Sequence, residues 1–159
     1  MKVEQLMTKG VSTCAPDDTL NQAARIMWER DCGIVPIVEN AATGRVVGIV
    51  TDRDACMAAY TRGQPLSQIR VGDVMSTGVA SCRALEDVRE AEQTMRRAHV
   101  HRLPVVDEAN QLLGVISLAD IAREATREAG ARRPEVTAVE IGETLAAIRE
   151  PRDVAAMCA

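Results

Sequence analysis

Two stretches of the chain carry the same functional groups in the same order, GIVTDRD at Gly48–Asp54 and GVISLAD at Gly114–Asp120. Each runs from a glycine through apolar residues to a hydroxyl, Thr51 or Ser117, and ends three residues later on an acid, Asp54 or Asp120. That spacing has two chemical readings. In one, the hydroxyl caps an orphan N–H at a helix start and the acid bonds back to the cap. In the other, the same groups hold a ligand. A carboxylate offers two acceptor oxygens to the vicinal hydroxyls of a ribose, and a hydroxyl beside free helix N–H groups receives a phosphate. The two are compatible, because a capped helix end is what presents an anion site. The glycines fall in strand positions, where glycine marks a close approach of another backbone.

The copies differ in their bases. Arg53 offers a fork of donors where the second phrase has Ala119, whereas Arg102 and His101 stand where the first copy has Ile34 and Gly33. His99 and His101 are two apart at a strand entrance, so they share a face and could join a cysteine in a zinc site. No second paired-ligand motif accompanies them, and no acid stands ready to orient a Cys-His nucleophile. A binding protein is expected rather than an enzyme, with no metal ligands assigned.

Composition narrows the class. Of 159 residues none is Phe, and one Trp and one Tyr are present, so the core must be aliphatic and base-stacking platforms are lacking. A formal net charge of −4 gives no general attraction to nucleic acid. No apolar run approaches a membrane span, and MKVEQLMTKG has no signal-peptide core. Cys14, Cys32, Cys56, Cys82 and Cys158 are odd in number without a CxxC spacing. They read as small buried residues in a reducing cytoplasm.

The elements that must position the paired phrases are themselves paired. VEQLMTKGVSTCAPDDTLNQAARIM at 3–27 overlays VGDVMSTGVASCRALEDVREAEQTM at 71–95, with an offset of 68 residues that narrows to 66 after a longer turn, ENAATGR, in the first copy. Each copy predicts a short strand (Val11–Cys14; Val79–Cys82) and a helix entered by acids (Asp17, Asp18; Glu86, Asp87). A strand pair follows (Ile34–Glu39 with Arg45–Val50; Arg102–Asp107 with Gln111–Ile116), then a second helix near Asp52–Arg62 and near Leu118–Glu128. The fold class is α/β (α+β): two β-α-β-β-α repeats, 1–62 and 71–128, joined by a linker at 63–70 and packed sheet to sheet about a pseudo-twofold axis.

This unit, with LMT and VMS before its first strand, GIVPIV and HRLPVV in its second and the paired phrase at its end, resembles the CBS domain. Two in tandem resemble a Bateman module, from Val3 to about Glu128. The resemblance implies a regulatory sensor that holds AMP, ADP, ATP or a related adenosyl ligand such as S-adenosylmethionine or NAD between the repeats, with no obligatory cofactor. It implies one site of Thr13, Ile34, Val35, Pro36, Thr51, Arg53 and Asp54, and another of Ser81, His101, Arg102, Leu103, Pro104, Ser117 and Asp120. There the aspartates hold ribose, the hydroxyls of the phrase meet phosphate, and the strands flank adenine. It also implies a homodimer paired through helices; output would run through an unknown protein target. The alternative is a structural or zinc-dependent scaffold with degenerate clefts.

The tail, 129–159, departs from the repeat. GARRPEV breaks the preceding helix, and Thr137 to Glu140 is a further capping-box signature. Ile141, Leu145 and Ile148 then make an apolar stripe on a short helix near 138–149, which is expected to dock on its own module.

Overall fold

Apolar β-branched runs on either side of a turn form an antiparallel hairpin in each repeat. These are β2 (Ile34–Val38) with β3 (Val46–Thr51), and β5 (Arg102–Val106) with β6 (Leu112–Ser117). The computed structural model describes residues 1–132 and 134–150. The remaining strands and α-helices are β1 (Thr8–Lys9), α1 (Leu20–Glu29), α2 (Asp52–Arg62), β4 (Cys82–Arg83), α3 (Val88–Ala98), α4 (Leu118–Arg127) and α5 (Ala138–Arg149), with short 3-10 turns at Val3–Gln5, Leu66–Gln68 and Val71–Asp73. Arg133 in the expected break, and the segment from Pro151 with Cys158, lie outside the described residues.

The repeats are joined by a reciprocal exchange. β1 belongs to the first repeat in sequence but pairs antiparallel with β6 of the second, Thr8 opposite Val115. Ser76 returns the contact by bridging to Ile49 of β3. The apolar anchors cross over too: Val3 is buried in the core of α3, α4, β5 and β6, and Val71 in the core of α1, α2, β2 and β3. The result is a four-stranded sheet, β1-β6-β5-β4, and a two-stranded one, β2-β3. Ile69, inside the expected linker, is fully buried in the first core, and its carbonyl accepts from the Leu20 N–H at 2.9 Å.

Three expectations are corrected. The strands at Val11–Cys14 and Val79–Cys82 shrink to a single bridge, Cys14 beside Ile37, and to β4 at Cys82–Arg83. Residues 10–13 instead carry the chain from the second repeat's sheet to the first, so only the end of the run finds a pairing partner. Asp17 and Asp18 do not enter the first turn of α1; Asp18 closes the preceding turn by accepting from the Ala15 N–H at 2.7 Å. On α5 the buried positions are Thr144 and Ile148 with Ile141 partly covered, while Leu145 is 46% exposed. Packing against α3 and α4 rotates the helix so that Thr144, not Leu145, meets the core.

Candidate functional site

Both paired phrases close as capping boxes. Asp54 Oδ2 accepts from the Thr51 N–H at 2.9 Å and its hydroxyl at 2.7 Å, and the Asp54 N–H donates to Thr51 Oγ1 at 3.2 Å. Ser117 and Asp120 repeat the set at 2.8, 2.6 and 3.2 Å. One carboxylate oxygen is thus committed to the fold in each copy. The other differs: Asp120 Oδ1 pairs with Arg123, one turn on, where the first repeat has Met57.

The glycines are explained by the exchange. A Cβ on Gly114 would stand 2.4 Å from the Thr8 carbonyl oxygen, and one on Gly48 2.6 Å from Met75 Sδ. Each glycine admits the lead-in segment of the other repeat, which brings that segment beside the helix start.

The crossing segment builds a cleft of about 460 Å³. Gly10, Val11 and Ser12 form one side as the chain leaves β1, and Gly10 takes the left-handed turn at φ 64° that redirects it. Ile34 and Pro36 from β2 supply an apolar wall, and Ser117 and Asp120 come from the second repeat. The cleft therefore joins members of both expected residue sets. Four basic residues line it, Lys9, Arg30, Arg102 and Arg123, against Asp31 and Asp120. Arg102 reaches across the pseudo-axis: its Nη1 lies 3.5 Å from where Gly33 would carry a Cβ.

The other expected residues lie as follows. Val35 and Leu103 are fully buried in the two cores, because alternate strand residues face opposite ways and Ile34, Pro36, Arg102 and Pro104 take the other face. Thr13 is half-buried in the crossing segment beside Ser12, and Ser81 is half-buried in its counterpart before β4. Thr51 and Asp54 are half-buried and Arg53 exposed at the start of α2, outside the lining of this cleft. Pro104 is buried on β5, and His101 lines a separate cavity beside α5. Ser12, Arg30 and Arg123 were not singled out in the sequence. The identical pairs Gly10/Gly78 and Val11/Val79 next to Ser12 were the available signal.

The cysteines do not share one environment: Cys14 and Cys82 are buried as expected, but Cys32 is half-buried and lines the cleft, and Cys56 is exposed on α2, where the helix turns it away from the core. Burial pushes the Cys14 thiol up to about 11 and the Cys82 thiol to about 12, so neither is a thiolate near neutrality. Burial, with Arg149 and Arg102 nearby, holds His101 below its ordinary value. Among the described residues no group of three or more His, Cys, Asp or Glu is placed to hold a metal ion. Among them no helix is long and apolar enough to cross a membrane.

Comparison with known proteins places both repeats in one family. The CBS domain model matches residues 3–60 and 71–127. CBS domain-containing protein YhcV of Bacillus subtilis is 35% identical over 120 residues, covering 76% of this chain and 82% of that protein. Hypoxic Response Protein I, solved with two coordinated zinc ions, superposes with a TM-score of 0.69 at 29% identity, over 77% of this chain and 98% of that one. The CBS domain pair of protein MJ0100, in complex with 5′-methylthioadenosine and S-adenosyl-L-methionine, has a TM-score of 0.68 at 22% identity, over 84% and 98%.

Proposed function

From the premise that this chain belongs to the CBS domain family and carries two such repeats, we propose that it is a cytoplasmic regulatory sensor of adenine nucleotides. The observation that carries this is the cleft that sets an apolar wall, Ile34 and Pro36, opposite Ser117 and Asp120 inside a ring of four bases. A volume of about 460 Å³ lies in the range of small-molecule sites. In this reading adenine lies along Ile34 and Pro36, the free oxygen of Asp120 takes the ribose once Arg123 turns to phosphate, and Ser117, Arg30 and Arg102 hold the phosphate chain. The bound ligand of MJ0100 supports an adenosyl group as the organic part. Pseudo-symmetry suggests a related second site at Thr51, Arg53 and Asp54, with Ser81, Arg102 and Pro104.

A ligand that touches both repeats favours one relative packing of them, and that differential binding energy is what a target would read. Binding, not catalysis, is the role. The exposed face of α1 and α2, where Trp28 is 88% and Tyr60 81% exposed, is the surface proposed for a homodimer. Calorimetric titration with AMP, ADP, ATP, S-adenosylmethionine and NAD tests the ligand class. At least one should bind, with a thermal upshift that saturates. No binding by any of them at millimolar concentration would overturn the sensor reading.

A further inference from the structure

The pseudo-symmetry of the repeats gives the inter-repeat cleft a counterpart on the side of Asp54, and the two sides differ in charge. Three bases of the cleft belong to it alone: Lys9, Arg30 and Arg123. Through the repeat offset their places on the other side fall to Thr77, Ala98 and Met57, none of them charged. Arg102 and Ile34 exchange places under the same operation, so Arg102 borders both sides. His99 takes the place of Asp31, but its Nδ1 is buried. The base that the Asp54 side gains is Arg53, which stands next to Asp52.

Asp52 meets both groups that a phosphate would need there. Its Oδ1 accepts from the Arg53 N–H at 2.7 Å, which engages a donor at the start of α2. Its Oδ2 lies 3.0 Å from where Gly33 would carry a Cβ, and Arg102 Nη1 lies 3.5 Å from the same point. The shared guanidinium and this carboxylate thus flank Gly33. In the second repeat the position of Asp52 is Leu118, which accepts nothing. A phosphate at the start of α2 would therefore stand beside a like charge, which works against binding.

The ribose position is arranged the other way. Arg123 pairs with Asp120 Oδ1, whereas Met57 in its place brings no such partner to Asp54. Asp54 spends Oδ2 on its cap, as Asp120 does, and keeps Oδ1 for a pair of vicinal hydroxyls. The Asp54 side is poor in phosphate partners and ready for ribose.

Resting on the sensor reading, we propose that the chain holds two different ligands. A phosphate-bearing nucleotide occupies the Asp120 cleft, and an adenosyl group without phosphate occupies the Asp54 side. Asp52 and Met57 set the second preference.

The test counts bound equivalents by calorimetry in the full chain, with AMP and 5′-methylthioadenosine as probes. AMP should saturate at one equivalent, and 5′-methylthioadenosine should add one more to the AMP-saturated protein. Arg30→Ala should weaken AMP about tenfold, as loss of a hydrogen bond to a charged group does. Asp52→Leu combined with Met57→Arg copies Leu118 and Arg123 into the first repeat. That variant should take two equivalents of AMP and then no 5′-methylthioadenosine. Both positions are exposed, so it should fold. Asp52→Asn, which keeps an acceptor for the Arg53 N–H, should by itself admit a second, weaker AMP. Two AMP equivalents in wild type would overturn the charge split. So would an AMP-saturated protein that takes no 5′-methylthioadenosine, or substituted chains that still stop at one AMP. Each of these outcomes leaves the sensor reading standing, whereas a chain that binds no adenine nucleotide overturns that reading and this assignment with it.

Discussion

Asp120 has one carboxylate oxygen occupied by the backbone and one facing Arg123, and this division decides how it must be tested. Asp120→Ala removes the cap together with any ribose contact, and cap loss alone costs about 1 kcal/mol of stability. Asp120→Asn keeps an acceptor for the Ser117 N–H and removes the charge. Its urea midpoint should therefore stay near wild type, while nucleotide affinity falls about 10- to 100-fold, the range for losing hydrogen bonds to a charged group. Calorimetry and urea melts on both variants separate the roles. Wild-type affinity in Asp120→Asn and Asp120→Ala alike would leave the carboxylate as a cap only. Asp54 makes the same cap without the arginine, so Asp54→Ala should lose the same cap energy.

Among the elements, the exchanged lead-ins and the docked tail helix each give a sharp expectation. At Gly114 an added methyl meets backbone, the Thr8 carbonyl, and β1 must move; at Gly48 it meets only the Met75 side chain, which can turn aside. Gly114→Ala should destabilise by about 1–3 kcal/mol, the usual scale of overpacking, and Gly48→Ala by clearly less. Equal urea midpoints for the two would mean the lead-ins are not held as described. The α3–α5 contact is polar at its centre. Glu92, 3% exposed, accepts from the Thr144 hydroxyl at 3.2 Å, and Arg96 Nε donates to that hydroxyl oxygen at 2.7 Å. Burial raises the Glu92 pKa above its ordinary 4.5, an effect larger than the opposing hydrogen bond from Thr144, with Glu140 raising it further and Arg96 and Arg89 opposing. The folded state then holds its proton more tightly than the unfolded one. The resulting stabilisation is full below the ordinary value and lost as pH rises through the raised one. Wild type should lose stability between mildly acidic and neutral pH relative to Glu92→Gln, which has no proton to release. Parallel pH profiles for the two proteins would show that Glu92 stays charged.

At the scale of the whole molecule the two halves differ in what covers their helices. α5 lies on α3 and α4, held by Ile148, by the buried Val136 before it and by ion pairs from Arg89 and Arg96. Glu135 next to Val136 pairs with the N-terminal amine of Met1, so the chain's first residue helps to fix its tail. Ending the chain at Gly130 should lower stability by several kcal/mol, at about 1.5–3 kcal/mol for each buried apolar side chain lost. Association through the α1–α2 face should persist. Trp28→Ala should do the reverse, shifting sedimentation toward monomer with little change in the melt. A truncated chain as stable as wild type would mean α5 contributes nothing to the fold, and an unchanged dimer in Trp28→Ala would move the proposed interface elsewhere.

The sequence by itself determined two copies of one unit, four long strands, the helices and the capping boxes of α2, α4 and α5. Those signals are local: alternation within a strand, apolar recurrence along a helix, a hydroxyl and an acid three residues apart. The helices near Asp52–Arg62 and near 138–149 were legible for that reason, and so was the cap at each paired phrase. Only the tertiary structure decided that one cleft gathers Ile34 and Pro36 with Ser117 and Asp120 of the other repeat, and that α5 brings Arg149 into one cavity with His101. The physical reason lies in the repeat itself. Val3 and Val71 are the same residue in the same local pattern, so each suits either core, and no local signal says which one it enters. That choice is made by contacts between residues far apart in the chain, and it places the cleft between the repeats.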